Sequence, residues 1–236
     1  MKQTNHPFPL IHYSIGPHSP YLYDDASLCN VKRICNQYNA LMHIHVQETR
    51  DELENSIAGN HAGANCHKSD AKCSPIANMA RLNLLHKTVC AHCVHVLDSD
   101  IQLLSEHQAS VVHCPHSNLK LGSGVAPVQR MLNAGVNVCL GTDGASSNNN
   151  LNMLQEMRTA ALLGPLATGD ACSVNAITAI EMATINGARA LGLEDLVGSI
   201  EKGKCADLLA LNLDQIETYP INNLFSSIVY AAGRDQ

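Results

Sequence analysis

The feature that most limits what this chain can fold into is a repeated alternation. Short runs rich in Val, Ile and Leu are each followed by polar or Gly-rich residues and then by a longer amphipathic stretch. Five such runs stand out, over residues 10–15, 40–46, 88–92, 110–113 and 137–141. Their length suits strands, and strands alternating with helices form a parallel sheet with the helices packed on it. Helices are expected over 24–39, 47–57, 76–85, 99–107, 126–134, 151–163 and 174–191, the last stopped by Gly192. The predicted fold class is therefore α/β, built from five βα units.

After residue 192 the texture changes. Residues 198–204 read as a tight turn between short strands and 206–213 as a strand, so a small β domain is expected over 193–236, behind a first domain over 1–192. Residues 58–74 lack apolar periodicity and carry His61, Cys66, His67 and Cys73 among Gly, Asn and Lys, which predicts a long surface loop.

Composition narrows the partners. Fifteen Lys and Arg against 21 Asp and Glu leave a net charge of −6 without long runs of one sign, and aromatics are 3% with no Trp, a poor basis for gripping nucleic acid. No apolar stretch reaches the roughly 20 residues that a membrane span requires. The ten cysteines include several in apolar runs, with no signal peptide ahead of them, and are read as reduced thiols in a cytoplasmic protein. A small-molecule substrate is the expected partner, with neither nucleic acid nor membrane; self-association is left open.

In a (β/α) barrel the reactive groups stand at the C-terminal ends of the strands, so the polar residues that close each apolar run are the informative ones. Gly16-Pro17-His18 follows the first run and His43-Ile44-His45-Val46-Gln47-Glu48 closes the second. Ala91-His92, His113-Cys114-Pro115 and Gly141-Thr142-Asp143-Gly144 close the other three. Imidazoles and a carboxylate from different strand ends are ligand types of a catalytic zinc or ferrous site. Glu48, three residues past His45, falls where a carboxyl could move protons at that metal, and hydrolysis follows from such an arrangement.

Several blocks carry a family resemblance. They are Gly16-Pro17-His18-Ser19-Pro20-Tyr21, His45-Val46-Gln47-Glu48-Thr49, His113-Cys114-Pro115-His116-Ser117-Asn118, Gly141-Thr142-Asp143-Gly144-Ala145-Ser146-Ser147 and Met182-Ala183-Thr184-Ile185-Asn186-Gly187. Together they resemble the TRZ/ATZ-type hydrolases of the amidohydrolase superfamily, and within it the 5-methylthioadenosine/S-adenosylhomocysteine deaminases. The resemblance implies a partial TIM-type barrel, strands four to eight, followed by the start of a small β-sandwich.

It also implies one divalent metal, zinc before iron, held by His45 and Asp143. Glu48, His92 and Asp143 are the implied catalytic groups, with His18, Glu48 and Asp143 contacting substrate. The implied reaction is hydrolytic deamination of an adenosine-type thioether nucleoside, releasing ammonia and an inosyl product. Two alternatives stand beside it: a fragment acting as a non-catalytic subunit, and a related enzyme acting on guanine, cytosine or a chlorotriazine. The family's His-x-His pair on strand one is not found in the seventeen residues before His18, so strands one to three are expected to lie outside this sequence, and both ends read as truncated. Asn152 stands where the family pattern suggests an acid.

Other readings are blander. His43 shares a face with His45 by the period of two but lies a layer deeper, where packing is expected; His113 is read as core or as support for a ligand. Cys90 and Cys93 form a lone C-x-x-C inside a strand, and His61, Cys66, His67 and Cys73 fit no standard zinc spacing. Gly122-Ser123-Gly124 lacks the third glycine of a dinucleotide fingerprint.

Overall fold

The computed structural model describes residues 11–60 and 72–235. Five strands, β1 (Ser14–Ile15), β2 (Leu41–Val46), β3 (Thr88–His92), β4 (Ser110–His113) and β5 (Asn137–Leu140), form one parallel sheet in chain order. All five expected strands are present, the first over two residues only; Leu10, where it was expected to begin, lies outside the described residues. Sequential parallel neighbours joined by helical crossovers are the partial (β/α) barrel anticipated from the alternation.

Local chemistry fixes the helix ends. In α1 (Asp25–Tyr38) the Asp24 carboxylate accepts from Ser27 N at 2.7 Å, and Asn39 closes the helix in the left-handed region at φ 47°. Thr49 caps α2 (Arg50–Ala58) and Ser74 caps α3 (Pro75–Arg81) in the same way. Next come α4 (Asp98–Glu106), α5 (Pro115–Leu121), α6 (Val128–Asn133), α7 (Ala145–Asn148) and α8 (Met153–Thr168). Asn152, the departure noted above, caps α8 by accepting from Leu154 N at 3.0 Å, a task that either an amide or a carboxylate performs.

The period of two in β2 decides which residues meet the helices. Met42, Ile44 and Val46 are buried in the core with Leu28, Met79 and Leu104, while His43 and His45 turn to the inner face of the sheet. Gly141, just past β5, is needed for close approach: a Cβ there would stand 2.5 Å from Val112 Cγ1.

Two expectations are corrected. The single helix over 174–191 is two, α9 (Ala176–Ala183) and α10 (Ile185–Leu191), broken at Thr184 (φ −128°, ψ −96°). Thr184 Oγ1 donates to the Ile180 carbonyl at 2.7 Å, and the break lets Asn186 donate to Val138 O at 2.9 Å beneath β5. Hydropathy is continuous across the break and cannot reveal it. The strand over 206–213, expected as the start of a β-sandwich, is not formed among the described residues. A strand needs a ladder partner, and Leu208 and Leu209 stand 65% and 78% exposed with none. Beyond it, a helical turn (Leu224–Ser226) continues as a π turn (Ser227–Ala231), and Arg158 of α8 donates to Val229 O and Ala232 O at 3.2 and 2.7 Å. Val229 belongs to the main core cluster. Among the described residues no helix is long and apolar enough to cross a membrane.

Gly141→Ala is expected to destabilise the protein by about 1–3 kcal/mol through overpacking against Val112, measured as a lower urea midpoint with an unchanged slope.

Candidate metal centre at the strand ends

Parallel pairing sets His45 opposite Ala91 and Val46 opposite His92, so His45 and His92 stand one residue apart at the ends of adjacent strands, with Asp143 three residues past the end of β5. The left-handed backbone of Gln47 (φ 50°), His92 (φ 74°) and Asp143 (φ 59°) turns the chain sharply at all three strand ends. His45, His92 and Asp143 form a three-residue group in which each offers one ligand atom, a ring nitrogen or a carboxylate oxygen, and these atoms lie within 4.8 Å of one another. His45 Nε2 stands 4.0 Å from Asp143 Oδ1, and the His45 and His92 rings stack with centroids 5.4 Å apart. Donors sharing one tetrahedral zinc are about 3.4 Å apart, so small side-chain adjustments suffice to close the group on an ion.

Hydrogen bonds fix which nitrogens are available. His45 Nδ1 donates to the His18 carbonyl at 2.7 Å, and His92 Nδ1 donates to Asn118 Oδ1 at 2.8 Å. Each Nε2 is thereby left with its lone pair toward the centre, the tautomer a metal needs. His18, expected as a substrate contact, has its exposed ring 4.8 Å from that of His45 on the wall of a cavity of about 450 Å³, shared with His43, His45, Gly141 and Asp143. Its carbonyl supports His45, a task invisible in side-chain identity.

Asp143 is held as a carboxylate. Burial pushes its pKa up, but the Ser147 and Ser117 hydroxyls, the Gly144 N–H and His92 outweigh this and leave it below the ordinary value. Both hydroxyls donate to Oδ2, at 2.6 and 2.7 Å. Glu48 places Oε2 3.8 Å from His92 Nε2 and accepts from Ser123 Oγ at 3.1 Å. Behind it, burial pushes the Glu52 carboxyl up to about 7, and its Oε2 accepts from Glu48 N at 3.0 Å.

Four supports had no assignment in the sequence: Gln47, Asn118, Ser123 and the Ser117/Ser147 pair. Gln47 is fully buried, donating to Asp100 Oδ2 (2.9 Å) and His95 O (2.8 Å) and accepting from Ile76 N (3.0 Å), which anchors the peptide that carries Glu48. Ser117 and Asn118 lie in a block that could have signalled them, since two polar side chains after a Pro-initiated turn at a strand end point toward the centre. The residues read as packing stay outside the group: His113 is buried and His43 lies below His45, each with an unpartnered ring nitrogen. Cys90 and Cys93 are buried free thiols. His61, Cys66 and His67 lie outside the described residues.

This geometry has known counterparts. The chain matches the Amidohydrolase family over residues 8–232. It belongs to the amidohydrolase family. It is 44% identical over 233 residues to a 5-methylthioadenosine/S-adenosylhomocysteine deaminase of Teredinibacter turnerae, covering 98% of this chain and 50% of that one. A protein of the same name from Moorella thermoacetica is 47% identical over 219 residues, 92% of this chain and 49% of that one. Among solved structures, an adenosine deaminase from Xanthomonas campestris with bound zinc superposes with a TM-score of 0.90 at 40% identity, over 98% of this chain and 50% of that chain. Atrazine chlorohydrolase from Arthrobacter aurescens complexed with zinc gives 0.84 at 22% identity, over 99% and 50%, a likeness of fold. This amidohydrolase thus spans about half the length of the relatives it matches.

His113 supplies a pH signature of the amidohydrolase sheet. Burial, then the neighbouring His92, push its pKa down to about 4. An unfolded histidine titrates near about 6.5, so stability is fully present above that pH and falls as pH drops toward 4, by up to about 3 kcal/mol. Urea midpoints at pH 7 and pH 5 should differ less in His113→Asn than in the unsubstituted protein; an equal difference would count against the assignment.

Proposed function

We propose that this chain supplies the metal- and proton-handling part of a hydrolytic deaminase acting on adenosine-type thioether nucleosides, 5-methylthioadenosine and S-adenosylhomocysteine among them. The convergence of ligand atoms from His45, His92 and Asp143 within 4.8 Å carries the reading. The names of relatives at 44 and 47% identity support the substrate class. His45 and Asp143 would hold a divalent ion, zinc before iron, with His92 Nε2 in the same group. Bound there, the ion would lower the pKa of an attacking water and neutralise developing charge.

The chain's own residues then divide the proton work. Asp143, kept ionised by its two serines, takes a proton from the attacking water and returns it to the departing amine. Glu48 protonates the ring nitrogen, and the hydrogen bond from Ser123 steadies the carboxylate left behind. His92, with its Nε2 3.8 Å from Glu48 Oε2, steadies the oxygen added to the tetrahedral carbon, and the proton that this oxygen still carries returns to the Glu48 carboxylate as the carbonyl forms. Ammonia leaves and the ring keeps a carbonyl. The cysteines among the described residues are all free thiols, which supports the cytoplasmic setting.

Two measurements test this. Elemental analysis of the purified protein should find about one zinc or iron per chain, lost in the His45→Ala, Asp143→Ala double variant. A metal equally retained in that variant, or none at the start, counts against the site. Ammonia release from 5-methylthioadenosine should fall about 10²–10⁴-fold in Glu48→Gln with metal content unchanged; an unaltered rate removes Glu48 from the chemistry.

A further inference from the structure

The Asp143 carboxylate is gripped on one oxygen by hydroxyls from two different helices, Ser117 of α5 and Ser147 of α7. Neither serine is held by its own backbone alone. His116, the neighbour of Ser117, donates through both its backbone N (3.2 Å) and Nδ1 (2.7 Å) to Glu156. Asn148, the neighbour of Ser147, donates through Nδ2 to the same Glu156 at 2.6 Å and to the carbonyl of Thr142, the residue before Asp143, at 2.9 Å. Glu156 rises from the first turn of α8, is 1% exposed and receives all three donors on its two oxygens. A carboxylate buried so deeply is tolerated only when fully hydrogen-bonded, and here every bond leads to a residue adjacent to one that touches Asp143 or its peptide.

We propose that Glu156 is the positioning residue of the candidate metal centre, setting the direction of the Asp143 carboxylate through the His116–Ser117 and Asn148–Ser147 arms. The inference rests on the metal reading given above. Removing the Glu156 charge leaves a donor facing a donor: in Glu156→Gln the amide NH₂ meets the His116 backbone N–H if it takes the place of Oε2, and both His116 Nδ1 and Asn148 Nδ2 if it takes the place of Oε1. Either serine then swings, and Asp143, already in a left-handed backbone conformation at φ 59°, loses the clamp on Oδ2. A carboxylate that only ties helices together would behave otherwise, lowering stability without changing how Asp143 meets an ion.

The test is a double-mutant cycle on zinc affinity, read by chelator competition on the purified protein, alongside melting of the metal-free forms. Glu156→Gln is expected to weaken zinc binding at least about 10-fold, and the Ser117→Ala, Ser147→Ala pair to do the same. Combining all three should be no worse than the weaker binder of the two, since both cut one linkage. Wild-type zinc affinity in Glu156→Gln, or losses that multiply in the combination, overturns the proposal while leaving the metal reading intact. Absence of zinc binding in the unsubstituted protein overturns the metal reading and this one with it. Should Glu156→Gln not fold, Asn148→Ala, which cuts one arm and the tie to Thr142, decides: weaker zinc binding is expected, and unchanged binding overturns the role.

Discussion

The parallel register between β2 and β3 is the constraint on which the centre depends. Pairing His45 with Ala91 and Val46 with His92 brings the ends of two strands to one height, where the left-handed turn at His92 (φ 74°) swings its ring to the side on which His45 stands, and pairing His113 with Leu140 carries that level across to Asp143. A slip of one residue along β2 would turn His45 into the helix layer, where Met42, Ile44 and Val46 now pack, and would place an apolar side chain in the cavity. In β2 the hydrophobic core and the site are thus two readings of one alternation, and the energy that fixes the first fixes the second, while His92 and Asp143 are aimed by their left-handed turns.

Around that level the protein spends polar groups freely. Gln47, Asp100, Asn118, Ser117 and Glu156 are all almost fully buried, and each hydrogen-bonds a strand end or one of the three residues that follow it. Such networks cost more than apolar packing unless most members are satisfied. Their placement beneath His92, Glu48 and Asp143 offsets the left-handed turns that aim these side chains, because the strained peptides are tied on several sides.

Much of this was legible in the sequence, for physical reasons. Period-two burial and C-terminal polar closure revealed β2 to β5, and residue type with position revealed His45, Glu48, His92 and Asp143, which the structure brings together. Glu156 was not legible, since thirteen residues past Asp143 on an amphipathic helix it reads as an exposed acid. Gln47 was hidden because a glutamine at a strand end has no preferred environment. Residues 206–213 misled for the opposite reason: their short apolar run suits a strand, and pairing depends on a neighbour that the run itself cannot supply. The break at Thr184 is a hydrogen bond from a hydroxyl to a carbonyl, which leaves the apolar period intact.

The double grip on Asp143 also determines its denticity. With Oδ2 occupied by two serine hydroxyls, only Oδ1 is presented toward His45, so in the proposed role the residue is a one-toothed ligand. Calcium favours several oxygens and readily takes both from one carboxylate, whereas zinc is content with one oxygen and two imidazoles. In that proposed role the two serines would favour one cation over another as well as hold a proton acceptor, and a preference for a small, nitrogen-loving ion would be set by side chains that never touch it.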